Sequence, residues 1–223
     1  MNKKGISMII YGDVMPEWSK VSLCGLVKLK VGESEPDYHF HDCDEYFIVT
    51  EGRGMVLLEG VECEMSSGDV VCIPLGGKHL ISKVLEELHL VFVYFEPRGL
   101  RRFGHIPAVG DEPLVEGCKI FKSWEWLELK PAWSRLASLG VLRYQFGAIE
   151  MDYHYHDCDE YYFVAKGSFH IIVEGEEIEL ACGDIYPIRL GERHRVLEAK
   201  EDATLVFIQD QLEGLKRYGH LDT

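Results

Sequence analysis

The chain has 223 residues, with 38 acidic side chains against 23 Lys and Arg, giving a formal net charge of −15 with its ten histidines neutral. That balance argues against a nucleic-acid partner, because phosphate binding needs clustered cations and the basic clusters are only the pairs Arg101-Arg102 and Lys216-Arg217. No apolar run reaches the roughly 18 residues of a membrane span, and the short one after Met1-Asn2-Lys3-Lys4 is broken by Gly12 and Asp13, so neither a membrane partner nor a signal peptide is predicted. Seven cysteines without a Cys-x-x-Cys pair fit reduced thiols and a cytoplasmic location.

In chain order, the pattern is of short strands divided by Gly and Asp turns. Residues 21–31 alternate Leu26, Lys28 and Lys30 with Val27, Leu29 and Val31, then stop at Gly32-Glu33-Ser34-Glu35-Pro36. A segment rich in aromatics carries His39, His41 and Glu45 into the strand-like run Tyr46-Phe47-Ile48-Val49-Thr50, which ends at Glu51-Gly52. Residues 55–58 and 61–65 around Glu59-Gly60 predict a hairpin. Gly68-Asp69 opens a strand over 70–73, and the apolar run 88–95 closes the set. Residues 99–105 are expected to form a short helical turn, echoed at 214–220, and 106–113 a turn-rich connection.

The whole pattern then returns at an offset of 115 positions without insertion or deletion. Pro16 matches Pro131, Trp18 matches Trp133, His39 matches His154, Gly52 matches Gly167, His79 matches His194 and His105 matches His220. The chain is therefore predicted to be all-β, an internal duplication with an N-terminal domain over 1–105, a linker and lead-in strand over 106–130, and a C-terminal domain over 131–223.

Two histidines one residue apart on a strand share a face. A carboxylate four residues on and a further histidine downstream complete a quartet in each copy: His39, His41, Glu45 and His79, then His154, His156, Glu160 and His194. Imidazole and carboxylate suit Fe(II), Mn(II), Ni(II), Co(II) or Zn(II), so up to two divalent metal ions per chain are expected. Four protein ligands leave open positions on an octahedral ion, as a catalytic metal requires. Cys43 and Cys158 lie between the second histidine and the glutamate; a thiolate there could reach the metal, but packing is the simpler role. Asp42 and Asp44 are expected turn formers. His105 and His220 read as turn residues, and Trp18 and Trp133 as plugs at a barrel end or between the copies. His170 sits in a strand that could line the second barrel as a general acid or base, against the plainer reading of a satisfied strand histidine.

These spacings resemble the cupin family, and specifically a two-domain bicupin. Its first motif, G-x5-H-x-H-x3/4-E-x6-G, is matched by His39, His41, Glu45 and Gly52 and again by His154, His156, Glu160 and Gly167, with Gly32 and Gly147 as loose matches to the leading glycine. The second, G-x5-P-x-G-x2-H, is met by Gly68, Pro74, Gly76 and His79; the second copy keeps Gly183, Gly191 and His194 but has Arg189 in place of the proline. The resemblance implies two tandem jelly-roll β-barrels, each with a metal held by three histidines and a glutamate, and a possible homodimer.

Because that fold hosts many chemistries, function is expected only as a class. The leading expectation is a metalloenzyme, an isomerase, lyase or dioxygenase, acting on a sugar, sugar acid or organic acid by proton transfer or O₂-dependent cleavage. The alternative is a non-catalytic module binding a sugar-like ligand. An oxalate-decarboxylase-like role is disfavoured because the repeats are compact and carry no extra lid segment. Arg189 could pair bidentately with a metal-chelated carboxylate, or lie outward on its turn.

Overall fold

The computed structural model describes residues 8–11, 15–96, 106–108 and 114–221. The first nine strands are β1 (Met8–Tyr11), β2 (Val21–Leu29), β3 (His39–Phe40), β4 (Asp44–Leu58), β5 (Val61–Ser66), β6 (Asp69–Ile73), β7 (His79–Phe95), β8 (Ile106–Pro107) and β9 (Lys119–Lys122). A 3-10 turn (Ser123–Glu125) and the one-turn helix α1 (Trp126–Leu129) come next. They are followed by β10 (Ser138–Tyr144), β11 (Glu160–Lys166), β12 (Ser168–Val173), β13 (Glu176–Ala181), β14 (Ile185–Ile188), β15 (His194–Ala199) and β16 (Ala203–Gln209). Among the described residues no helix is long and apolar enough to cross a membrane. All seven cysteines are free thiols.

Contacts divide the chain into two units, one of Met1–Tyr11 and Lys20–Ser134, the other of Gly12–Ser19 and Arg135–Thr223. Each is a jelly-roll barrel. In the second, the sheets are separate, β10-β16-β11-β14 and β13-β12-β15. In the first, the 15-residue β4 and 17-residue β7 pair along most of their length and run through both walls, so one sheet, β1-β2-β7-β4-β6-β9, wraps the barrel. The apolar run 88–95 is thus the second half of a strand that begins at His79.

Alternation fills the interior. In β12, Phe169, Ile171 and Val173 are buried while Ser168, His170 and Ile172 are only half covered. The first core gathers Leu29, Phe47, Val49, Val71, Ile81 and Leu90, and the second Tyr162, Val164, Phe169, Ile171, Val196 and Leu205. The predicted hairpin forms between β4 and β5, where Leu58 pairs with Val61. Its two turn residues, Glu59 at φ 47° and Gly60 at φ 81°, are both left-handed, which matches the right-handed twist of the strands.

The stretch after the first repeat is not a simple connection. β8 pairs with β3, and β9 adds to β6. Trp126 of α1 and Trp133 pack on Tyr46, whose hydroxyl bonds Ser134 Oγ at 2.7 Å, so the outer face of β4 is also covered. In the second unit the equivalent Tyr161 is met by Trp18. The recurring tryptophan of each repeat is therefore a lid on a strand face within the unit that contains it. Residues 99–105 lie outside the described residues, and 214–220 form turns rather than a helix.

The glycine that ends the first cupin-like motif has a steric reason. Gly52 sits within β4 at φ 79°, where the β4–β7 register shifts, and a Cβ there would lie 1.8 Å from the Glu87 carbonyl oxygen. Gly60 is equally left-handed but has open space around it. Gly52→Ala is therefore expected to destabilise the chain by at least about 2 kcal/mol, strain plus clash, and Gly60→Ala by only about 1 kcal/mol of backbone strain. Equilibrium urea unfolding of the two variants checks this difference.

Candidate metal centre

Three imidazoles meet inside each barrel. The ligand atoms of His39, His41 and His79 all lie within 4.8 Å of one another, as do those of His154, His156 and His194. β3 brings His39 beside His79, with which it pairs directly, and the isolated bridge His154–His194 repeats this. The two motifs are also tied to each other. The Gly76 amide donates to the His41 carbonyl and the Leu75 amide to Asp44 Oδ1, at 3.0 and 2.9 Å. Gly191 and Leu190 do the same with His156 and Asp159, at 3.1 and 2.8 Å. Asp44 and Asp159 are thus clamps between motifs, more than local turn formers.

The ring orientations decide what these histidines can do. Nδ1 of His39, His79, His154 and His194 faces the carbonyl oxygen two residues back, at 2.8, 3.0, 3.0 and 2.9 Å, and Nδ1 of His156 faces the Gly219 carbonyl at 3.0 Å. A carbonyl only accepts, so Nδ1 carries the hydrogen and the neutral ring offers its lone pair from Nε2. Glu45 Oε2 is 2.9 Å from His79 Nε2 and 3.4 Å from His41 Nε2. Glu160 Oε2 is 2.8 Å from His194 Nε2 and 3.2 Å from His156 Nε2. His79 Nε2 is buried and, despite its closeness to Glu45, forms no properly aligned hydrogen bond. In the second centre the matching contact, His194 Nε2 to Glu160 Oε2, has hydrogen-bond geometry, and in both centres an oriented set of imidazole nitrogens with a carboxylate fits a divalent metal.

Electrostatics favour a cation. Burial opposes ionisation of Glu160, but His156 and His194 overcome it and hold the carboxyl well below the usual carboxylate range. Burial also works against protonation of His156 and His79, yet their glutamates raise both. His154 is lowered to about 4 by burial, with the neighbouring imidazoles adding to the effect. A proton and a metal would compete for the same Nε2 atoms.

Of the other residues singled out from sequence, Cys43 and Cys158 are buried and their thiols are pushed up by burial, so the ligating thiolate is disfavoured. His170 does not line the second barrel. Strand alternation places it on the outer face, 3.7 Å from exposed Glu179, so it is not positioned for acid–base work at the centre. Arg189 is exposed on its turn with its guanidinium 6.0 Å over the Trp18 ring. Its amide donates to Glu192 Oε2, and Glu192 donates back to its carbonyl, so the turn survives without proline.

Other residues at the centres gave no signal in the sequence spacing. Gln209 Nε2 donates to Glu160 Oε1 at 3.0 Å, while the equivalent Tyr94 places Oη 3.2 Å from His41 Nε2. Each lies directly across the strand pair from its glutamate, so register would have found them. His220, expected to be a plain turn residue, stacks flat on His154 with ring centroids 3.6 Å apart. The tail that carries it is pinned by Asp157, which accepts from the Leu215 and Arg217 amides. His105 lies outside the described residues.

Buried Glu35 accepts the Ile81 amide and is held up at about 7, chiefly by burial.

Two comparisons with known sequences bear on this site. The family model described as Cupin domain matches residues 25–94 and 140–209. The uncharacterized protein y4oW of Sinorhizobium fredii (strain NBRC 101917 / NGR234) is 39% identical over 70 residues, 31% of this chain, and the match spans only 32% of that protein. The pectin degradation protein KdgF of Dickeya dadantii (strain 3937) is 35% identical over 75 residues, covering 33% of this chain and 67% of that protein.

Among solved structures, Bacillus subtilis oxalate decarboxylase, which has Mn(II) centres, superposes with a TM-score of 0.64 at 14% identity, over 92% of this chain and 71% of its own. A cupin 2 conserved barrel domain protein from Leptotrichia buccalis gives 0.51 at 15% identity, over 93% and 91%. At such identities the likeness is one of fold.

His39→Ala and His154→Ala should each remove about one equivalent of divalent metal from protein expressed in metal-replete medium. Elemental analysis decides, and full wild-type content in both would contradict the two centres. For Glu35 the folded value lies above the usual 4.5. Its contribution to stability is therefore full below about pH 4.5 and is lost as pH rises through 7, a difference of about 3 kcal/mol. In metal-free protein the stability gap between wild type and Glu35→Gln should shift against the wild type across that window, measured by urea unfolding at each pH.

Proposed function

This chain belongs to the cupin domain family, and from that premise we propose that it is a metal-dependent bicupin enzyme acting on a small, oxygen-rich metabolite, a sugar acid or related organic acid. The metals would be held by His39, His41, Glu45 and His79 and by His154, His156, Glu160 and His194. The observation that carries this reading is the orientation of the imidazoles, with Nδ1–H tied to a carbonyl and Nε2 turned inward beside a buried carboxylate. When bound, a divalent ion supplies Lewis-acid polarisation of a substrate hydroxyl, carboxylate or carbonyl. Proton transfer and O₂-dependent cleavage are both compatible with it.

The chain's own contribution is positioning and a tuned interior. At three interior positions the second barrel carries Tyr144, Tyr162 and Tyr186 where the first has Leu29, Phe47 and Val71. Gln209 fixes one oxygen of Glu160 and leaves the other toward the imidazoles. These changes make the second interior more polar, with the Tyr144 hydroxyl donating to Glu150 Oε1 and the Gln209 amide to Glu160 Oε1, which supports the second barrel as the place of chemistry. The relative from Dickeya dadantii is a pectin degradation protein, and pectin is a polymer of sugar acids, which supports that substrate class. Oxalate decarboxylation is not adopted, since the likeness to that enzyme at 14% identity is one of fold.

The test is turnover of a panel of uronates, aldonates and hydroxy acids by protein loaded with each candidate metal, with and without O₂. Metal-dependent turnover is expected, lost in His154→Ala and lowered about 10- to 100-fold in Gln209→Leu, in keeping with outer contacts to a metal ligand. Arg189→Pro should leave kcat/KM unaltered. Saturable binding by calorimetry with no turnover in any metal form would instead favour the sugar-binding module.

A further inference from the structure

The two quartets are the same in residue type, but the position facing the glutamate across the strand pair is not. Glu45 pairs with Tyr94 in β4–β7, and Glu160 pairs with Gln209 in β11–β16. Directly opposed residues project from the same face of a sheet, so each lies beside its glutamate. Gln209 uses its amide to hold Glu160.

Tyr94 makes a different contact. Its ring lies against His41 with centroids 4.6 Å apart, yet its hydroxyl oxygen comes within 3.2 Å of His41 Nε2. The tips are closer together than the ring centres, so the two side chains converge. Neighbouring donors around a six-coordinate ion with bonds of about 2.1 Å stand roughly 3 Å apart. The separations His79 Nε2 to Glu45 Oε2, 2.9 Å, His41 Nε2 to Glu45 Oε2, 3.4 Å, and His41 Nε2 to Tyr94 Oη, 3.2 Å, are all near that length.

We propose that Tyr94 is a fifth protein ligand of the first centre, binding through its phenolic oxygen, so that the two metal centres of the chain are chemically unequal. The inference rests on the reading of both quartets as metal sites. In forming the bond the hydroxyl gives its proton to solvent and the oxygen takes the metal, with no change of oxidation state. The first centre then offers three imidazoles, a carboxylate and a phenolate, which leaves one position of an octahedral ion. The second offers three imidazoles and a carboxylate and leaves two. A substrate that chelates through two adjacent oxygens, as a hydroxy acid does, needs both, so chelation belongs to the second centre. The added hard oxygen donor also biases the first centre toward harder ions than the second.

Iron makes the ligand visible, because phenolate bound to iron(III) gives a visible charge-transfer band that imidazole and carboxylate do not. The full chain would be loaded with iron(II) without oxygen, freed of excess metal, oxidised with ferricyanide and examined by absorption and resonance Raman spectroscopy. The band and tyrosinate vibrations are expected in wild type and in His154→Ala, which retains only the first centre. They should vanish in Tyr94→Phe at unchanged iron content, since Phe keeps the ring that packs on His41. Absence of the band in iron-loaded His154→Ala, or its persistence in Tyr94→Phe, would overturn the assignment while leaving the two centres standing. Iron content equal to wild type in both His39→Ala and His154→Ala would remove the metal centres themselves, and this inference with them.

Discussion

Each centre depends on where the imidazole Nδ1–H goes. A buried N–H without an acceptor costs about 1–3 kcal/mol, and a ring free to flip would offer either nitrogen to a metal. In four of the ligand histidines the acceptor is the carbonyl two residues back, Asp37, Gly77, Asp152 and Glu192. This is a local contact that the extended entry into β3, β7 and their counterparts provides without help from elsewhere. One hydrogen bond thereby sets tautomer, ring plane and direction of the lone pair. The fifth case, His156, takes its acceptor from Gly219, which makes the C-terminal tail part of the second centre.

The barrel supplies what that local contact cannot, the meeting of segments some forty residues apart. β4 delivers the glutamate and β7 begins with the last histidine, and their long antiparallel pairing fixes the distance between them. Gly52 lets β4 pass Glu87 at a separation no side chain allows. The turn that follows β6 is then tied back to the first motif through Gly76 and Asp44. Burial of the apolar strand faces holds this frame.

What the sequence disclosed follows the range of its signals. The quartets, the duplication and the Glu-Gly hairpins were legible because each is a spacing within a short segment or a fixed offset between copies. Tyr94 and Gln209 were not, because they face their glutamates only once β4 is in register with β7 and β11 with β16, and spacing along the chain does not state register. His220 was missed because its tail docks through the side chain of Asp157, a contact with no sequence pattern. The stretch after residue 105 looked like a connection because β8 and β9 are two and four residues long and gain their strand character from partners in the first barrel. His170 was misplaced for want of parity, although its apolar neighbours Phe169 and Ile171 already marked the inward face.

Duplication without insertion or deletion keeps the backbone frame common to the copies and leaves side chains as the place where they can diverge. The glutamates Glu35 and Glu150 illustrate how far that goes. Each accepts the amide of a β-strand residue, Ile81 or Val196, so the backbone role is unchanged. In the second barrel Tyr144 adds a hydroxyl that donates to Glu150 Oε1. In the first the same position is Leu29, and Glu35 is held up at about 7 by its burial. Leu29, Phe47 and Val71 on one side and Tyr144, Tyr162 and Tyr186 on the other thus surround two quartets that are identical in residue type. The polarity a ligand meets is set by those side chains, so the motifs describe what the chain holds and the residues around them describe what it can bind.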